Sequence, residues 1–508
     1  MGFMSAIKNE LDNATCLTEN GAVAYRTSGK KLLDLNFAVA SLRSLPEQGV
    51  INKFVDAYYE DPVLVMKWLF YSRDVRGGLG ERRLFRIALK HLAMLKPEVV
   101  KAVFGFAPEY GRYDDLWCLL DTPVKDDVLK VTKEMFLADN ARANVGNSIS
   151  LLAKWMPSEN ASSKSTKKYA KIIREYLGLT SKQYRQTLSK MRKHIDVVER
   201  KMSAREWNAI KYEAVPSRAN LIYNGAFLRN DEERRRAYLG ALEKGETKIN
   251  ASTLFPHDIV HKYTNSGIYS VGVKAQDATL EGLWKALPDT VKGADNTIVV
   301  ADGSGSMTTR VGGDNISALD VANALAIYFA ERSSGEFKDK YITFSHTPRL
   351  VDFSKAKTLR EKIMIALKHN EVADTNIEAT FDLILQTAIA NHMSQEDMPK
   401  NVLIISDMEF NAACGYRYAV NETLFTTIAK KYAAHGYKLP RLVFWNVNSR
   451  TGAVPVKENE LGVALVSGFS PSIVNMVMSN KTDPFECLLD VLNTERYAPI
   501  EAAVKSVM

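Results

Sequence analysis

Apolar positions in the first 292 residues recur at helical spacing, and hardly any segment there alternates apolar with polar. Asp61-Pro62 reads as an N-cap followed by proline at the first helical position, opening a helix through VLVMKWLFYS. Ser203-Ala-Arg-Glu206 has capping-box form ahead of WNAIKY. Gly77-Gly78-Leu79-Gly80 marks a tight helix–helix link. Successive helices with short links and no fixed repeat predict an irregular, HEAT-like α-solenoid.

From about residue 293 the pattern changes. Short apolar runs at Thr297–Ala301, Tyr341–Phe344, Asn401–Ser406, Arg441–Trp445 and Gly462–Val466 predict strands. Helical patterns lie between them at Asn315–Arg332, Ile377–Asn391 and Leu424–His435, and a last helical segment spans 483–507. Strands that are apolar throughout and alternate with helices specify a mostly parallel sheet covered on both faces. The expected fold is α plus α/β. It comprises a helical region over 1–292, a Rossmann-like domain over 293–480, and a C-terminal helical segment over 481–508 packing back on the chain.

Charge adds a contrast between the two halves. Residues 1–292 carry 46 Lys and Arg against 34 Asp and Glu, while the remainder carries 21 against 25. An anionic partner is therefore expected on the first half. Between Lys164 and Lys193 stand ten basic residues: Lys164, Lys167, Lys168, Lys171, Arg174, Lys182, Arg185, Lys190, Arg192 and Lys193. Only Glu175 opposes them, and Tyr169, Tyr176 and Tyr184 are interleaved. Clustered cations with aromatic side chains suit phosphate contacts and base stacking, so all but Lys182 of the ten, together with Tyr184, are the candidate RNA-contacting set. A solvated helix face would give the same pattern. Arg234-Arg235-Arg236 follows three acids and reads as a salt-bridged surface helix. The RGGLGER segment lacks the Walker pattern and follows a helix, so a turn is expected, with Arg73 or Arg76 pairing with Asp74 or Glu81.

Four scattered cysteines, Cys16, Cys118, Cys414 and Cys487, form no CxxC pair, which argues against a zinc or disulfide framework and fits a reducing compartment. The chain's start has no signal-peptide core, and no apolar run approaches the roughly 18 residues of a membrane span. A cytoplasmic protein without membrane contact is expected.

The chemistry concentrates in NTIVVADGSGSM, residues 296–307. A buried strand ends in Asp302, and Ser304 and Ser306 follow at alternate positions, so a loop at the strand's carboxyl end can aim three hard oxygen donors at one point. Such donors suit Mg²⁺, or a similar divalent cation such as Mn²⁺. D-x-S-x-S after a buried strand resembles the metal-ion-dependent adhesion site of von Willebrand factor A-type (vWA) domains. That resemblance implies a threonine and an aspartate from later loops, at Thr375 and Asp407. It also implies an open position that takes a carboxylate from a protein partner. Asp374, Glu378 and Asp382 beside Thr375 read as helix-start and surface acids.

The segments YSRDVRGGLGERRLFR, PEYGRYDDLW, LLAKWMPSEN and YRQTLSKMRKHIDVVERKMS resemble a largely uncharacterised family pairing a helical region with a C-terminal vWA domain. Its layout is similar to that of the TROVE proteins, which include the Ro ribonucleoproteins. The resemblance implies a non-catalytic RNA-binding protein whose vWA domain holds a divalent cation and a protein partner. A protein-binding scaffold without RNA is the alternative. A magnesium-dependent phosphoesterase is least supported, because the sequence offers neither a second metal cluster nor a general base beside the serines.

Overall fold

The structure is a computed structural model that describes residues 15–264, 272–291, 296–311, 315–344, 346–371, 374–411, 424–455, 462–470, 473 and 483–508. Cys414 lies outside the described residues. The chain forms two compact units, one of residues 63–253 and 495–508, the other of 1–62 and 254–494.

The first unit is helical. Helix α1 (Pro62–Arg73) starts at the proline, as the sequence predicts, and its nine residues from Val65 to Arg73 are all buried. The glycine turn then leads into α2 (Arg82–Leu95). A Cβ at Gly78 would stand 2.0 Å from the Tyr71 carbonyl oxygen, so the turn's tightness requires glycine there. Helices α3 (Lys164–Tyr176) and α4 (Ser181–His194) begin with side-chain caps from Ser163 and Thr180. The expected capping box at Ser203–Glu206 does not form. Ser203 closes a helix (Val198–Ser203), and the Glu206 carboxylate pairs with Arg200 instead.

The second unit holds a six-stranded sheet. Its strands are β3 (Thr297–Asp302), β4 (Lys340–Phe344), β5 (Arg349–Asp352), β6 (Asn401–Ser406), β7 (Arg441–Asn446) and β8 (Val463–Ser467), in the order β5-β4-β3-β6-β7-β8. All pairings are parallel except β4 with β5. The edge strand β5 was not anticipated, because only its Val351 is buried and so it carries no apolar run. Helix α5 (Ala318–Arg332) packs on the sheet with eleven buried residues, matching its nearly continuous apolar sequence. Helix α6 (Ile377–Ala390) follows the loop that carries Thr375. A two-stranded hairpin, β1 (Thr15–Leu17) with β2 (Val23–Tyr25), also belongs to this unit.

The compact units are not divided at residues 292 and 480 as the texture of the sequence suggested. The helices Lys31–Phe37, Pro256–Tyr263 and Ala278–Lys285 lie in the sheet-bearing unit. Thr264 and Trp284 donate hydrogen bonds to Asp320 and Glu331 of α5, at 2.9 and 2.7 Å. A helix covering a sheet and a helix stacked in a solenoid have the same periodicity, so sequence texture cannot separate them. The final segment divides as well. Pro484–Leu492 stays with the sheet, and Ala498–Lys505 joins the helical unit.

Candidate functional site

From β3 the chain goes to β4 on one side, then crosses to β6 on the other. The carboxyl ends of β3 and β6 therefore flank the topological switch point, where open α/β sheets place their ligands. The register pairs Ala301 with Ile405, which sets Asp302 beside Ser406. Ser406 donates to Asp302 Oδ2 at 2.6 Å, and the Ser304 amide donates to Asp302 Oδ1 at 2.8 Å. Ser304 Oγ and Ser306 Oγ are 3.0 Å apart. Gly303 makes this packing possible, since a Cβ there would lie 2.9 Å from Thr343 Oγ1. Met408, immediately after Asp407, has a φ of +63°, a strained conformation for a residue with a long side chain.

Asp302 and Asp407 are both buried, and the Asp302 charge acts on Asp407. Loss of solvent, then the Asp302 charge, push the Asp407 carboxyl up to about 7, against the opposing effects of Ser306 and Arg450. Burial also raises Asp302, opposed by its bonds from Ser304 and Ser406. One cation already faces the pair, because Arg450 Nη2 lies 3.3 Å from Asp407 Oδ2. The same nitrogen contacts the Glu19 carboxylate.

Asp302, Ser304, Ser306 and Asp407 thus share one cluster. Thr375 is buried and, among the described residues, makes no hydrogen bond to the serines. Its hydroxyl accepts from Asn20 Nδ2 at 3.2 Å, and Asn20 also donates to the Glu409 carbonyl at 2.5 Å. Sequence reasoning missed this contribution from the β1–β2 turn, for which Glu19-Asn20-Gly21 gives only a turn signal. It also missed Glu409. That buried carboxylate accepts from the backbone amides of Glu19, Arg450 and Thr451 at 2.8, 2.8 and 2.9 Å, tying three loops together beside the cluster. Among the described residues no group of three His, Cys, Asp or Glu side chains is arranged to hold a metal, so any cation here relies on hydroxyl oxygens.

The acids near Thr375 divide. Asp374 is exposed and faces His346 at 3.6 Å. Glu378, expected at the surface, is buried and shares Lys431 with Asp382.

The basic segment also divides. Lys164, Lys167, Lys168 and Lys171 lie on one exposed face of α3 at spacings of three and four, and Lys182, Arg185, Lys190 and Lys193 are exposed on α4. Lys168 pairs with Asp121, and Lys190 donates to Asn144. Lys164, Lys167, Lys182, Arg185 and Lys193 make no side-chain hydrogen bond or ion pair among the described residues.

Three expected contact residues are structural instead. Tyr184 is fully buried with its hydroxyl on the Pro157 carbonyl at 2.9 Å, so its ring is not available to stack on a base. Arg192 donates to the carbonyls of Ala153 and Met156, both at 2.8 Å, and closes the short helix between them. Arg174 is held by Glu159 at 3.0 Å and Glu175 at 3.1 Å. Arg235 departs further from the surface-helix expectation. It is fully buried against the rings of Tyr212, Phe227 and Tyr238 at 4.8, 5.2 and 5.2 Å. At the glycine turn, Arg73 pairs with Asp115 rather than a neighbour in sequence, and Asp74 takes Arg496.

Residues 296–497 match the model of a domain of unknown function (DUF7788), and residues 159–296 match another domain of unknown function (DUF2828). The uncharacterized protein L728 of Acanthamoeba polyphaga mimivirus is 30% identical over 524 residues, covering 95% of this chain and 88% of that protein. The crystal structure of the Deinococcus radiodurans RO (RSR) protein aligns with 92% of this chain and 94% of its own, at 14% identity and a TM-score of 0.34. No helix among the described residues is long and apolar enough to cross a membrane.

Proposed function

The chain belongs to the family of the mimivirus protein L728, and for this member we propose a non-catalytic RNA-binding role, with the sheet-bearing unit acting as a vWA-type module for a divalent cation. The observation that carries the RNA reading is the pair of exposed basic stripes on α3 and α4, in which five cations make no side-chain hydrogen bond or ion pair among the described residues. Lysine and arginine heads held in solvent at helical spacing can each neutralise a phosphate, while ion-paired ones contribute less. The test is fluorescence anisotropy with a structured RNA across a salt series. Simultaneous change of Lys167, Lys171, Arg185 and Lys193 to Glu is expected to abolish binding. For wild type, log affinity should fall against log salt with a slope near −3.5, from about −0.7 per single-stranded phosphate for each of the five cations. Wild-type protein that retains no RNA at low salt contradicts the reading.

For the cation, Asp302, Ser304, Ser306 and Asp407 would be the holding residues, with Thr375 joining through the loop that Asn20 covers. Mg²⁺ would supply a Lewis-acidic positive charge that relieves the mutual repulsion of two buried carboxylates. The chemistry of the donors fits, since hydroxyl and carboxylate oxygens are the ligands that hard cations take. A protein partner with an acidic residue is the second reading. One observation favours it: the Glu19 carboxylate reaches the same Arg450 nitrogen as Asp407, so the rim of the site already accommodates a carboxylate. Ser304 and Ser306 act here as ligands. His261, on a helix packed against α5, faces Asp320 at 3.2 Å.

A further inference from the structure

The helical unit contains a second concentration of cations, outside the α3–α4 stripes, built from two segments that the RNA reading leaves unused. RGGLGERRLFR delivers Arg82 and Arg86 on the first turns of α2, and YGRYDDLW delivers Arg112, Asp114 and Asp115. Asp115 is fully buried and accepts from Arg73 Nε at 2.8 Å, Arg86 Nε at 2.7 Å and the Arg112 amide at 3.0 Å. Asp114 lies 2.9 Å from Arg86 Nη2 and 2.8 Å from Arg112 Nη2. The Arg112 guanidinium lies over the Trp155 ring at 4.1 Å, which holds the fork flat.

The guanidinium groups of Arg73, Arg86 and Arg112 share these two carboxylates, and Arg82 precedes Arg86 by one helical turn, so four arginines stand against two acids with a formal surplus of two charges. Arg112 is paired with Asp114, so the unpaired member is Arg82. Arg82 makes no hydrogen bond or ion pair among the described residues, and its side chain reaches solvent. Its pKa is lowered by partial loss of solvent, then by the neighbouring charges of Arg112 and Arg86. Arg112 is lowered by the same desolvation, against the opposing charges of Asp114 and Asp115, with smaller lowering effects from Arg73 and Arg86. Among the described residues, Arg112 Nε and Asp114 Oδ1 are buried without a hydrogen-bond partner. Placing arginines in the opening turns of α2, which has no acidic residue there, also works against the helix dipole. A cluster serving only to join helices would not need the unpaired cation Arg82.

From this arrangement we infer that Arg82, Arg86 and Arg112 form a binding site for a phosphate monoester, a ligand whose double negative charge matches the surplus. Guanidinium forks present paired N–H donors to phosphate oxygens. The ligand class has two sources, a small phosphorylated molecule or the terminal phosphate of a nucleic acid.

The test uses the full chain, with inorganic phosphate as the first probe and three otherwise identical RNA oligonucleotides as the second. One oligonucleotide carries a 5′-phosphate, one a 3′-phosphate and one neither. Calorimetric titration should show saturable phosphate binding that weakens about tenfold or more in Arg82→Ala, the loss expected for one charge-assisted hydrogen bond. Arg82→Ala leaves no partner unsatisfied, so its melting temperature without phosphate should match wild type. Arg112→Lys, which keeps the charge and loses the fork, is a second variant expected to weaken binding. If a terminal phosphate tightens RNA binding over the hydroxyl oligonucleotide, and Arg82→Ala removes that gain, the nucleic-acid source is supported. Phosphate binding with no gain from either terminus supports the small-molecule source. Wild type that binds no phosphate, or Arg82→Ala that binds it as well as wild type, overturns the site. The stripe variant separates this outcome from the RNA reading, since glutamates on α3 and α4 should leave inorganic phosphate binding unchanged.

Discussion

The cluster at the end of β3 and the basic surface of α3 and α4 are built on opposite principles. In the first, short side chains project from strand ends and tight loops, so backbone register alone brings Asp302 to Ser406 and Asp407. In the second, long side chains extend from helices, and what each does depends on which acceptor its flexible stem reaches. Arg185 is exposed and makes no side-chain hydrogen bond or ion pair among the described residues, while Arg192, seven positions further on, closes another helix. Charge count alone cannot tell these apart; burial and hydrogen-bond geometry can.

The largest test of that contrast is Arg235→Ala. A guanidinium sealed between three aromatic rings acts as core, and its removal should cost about 3 kcal/mol, as for a large-to-small core change. Urea unfolding followed by tryptophan fluorescence would measure it, and a surface-like loss under 0.5 kcal/mol would break the comparison. Next is the pair Arg192→Ala and Arg185→Ala. The first leaves two carbonyls without their donor and should cost about 1–2 kcal/mol. The second should stay within about 0.5 kcal/mol yet weaken RNA binding. The reverse ranking would assign the roles the other way round.

A smaller effect concerns pH. In the cation-free protein Asp407 titrates near 7, against 3.8 for an ordinary aspartate. Between those values the folded chain holds more of this proton than the unfolded chain does. The carboxyl's contribution to stability is therefore present at low pH and lost as pH rises through 7. Melting temperatures taken across that window should fall with pH for wild type and show a shallower slope for Asp407→Asn. Saturating magnesium should flatten the wild-type slope, because a cation favours the ionised form.

The sheet's long strands were legible almost to the residue, because wholly apolar runs bounded by polar loops permit few alternatives. Asn401–Ser406 matches without change, and Asp302 extends the expected first strand by one position. Edge strand β5 was not legible, since three of its four positions face solvent. Within the site, the DGSGS turn was readable from local chemistry, and Thr375 and Asp407 only through the vWA resemblance. Asn20, Glu409 and Arg450 were not readable at all. They reach the site from hairpin and loop positions up to several hundred residues apart, and only the folded register brings them together. The Arg82–Arg112 cluster was hidden for the same reason, with its two segments lying thirty positions apart in the chain and joined by the Arg86–Asp114 ion pair.

The most direct measurement is calorimetric titration of magnesium into the full chain and into Asp302→Ala, near pH 8 where Asp407 is ionised. The account predicts one saturable site in wild type, none in the variant, and equal RNA affinity for both proteins. Wild type that binds neither magnesium nor manganese, or a variant that binds them undiminished, would contradict it.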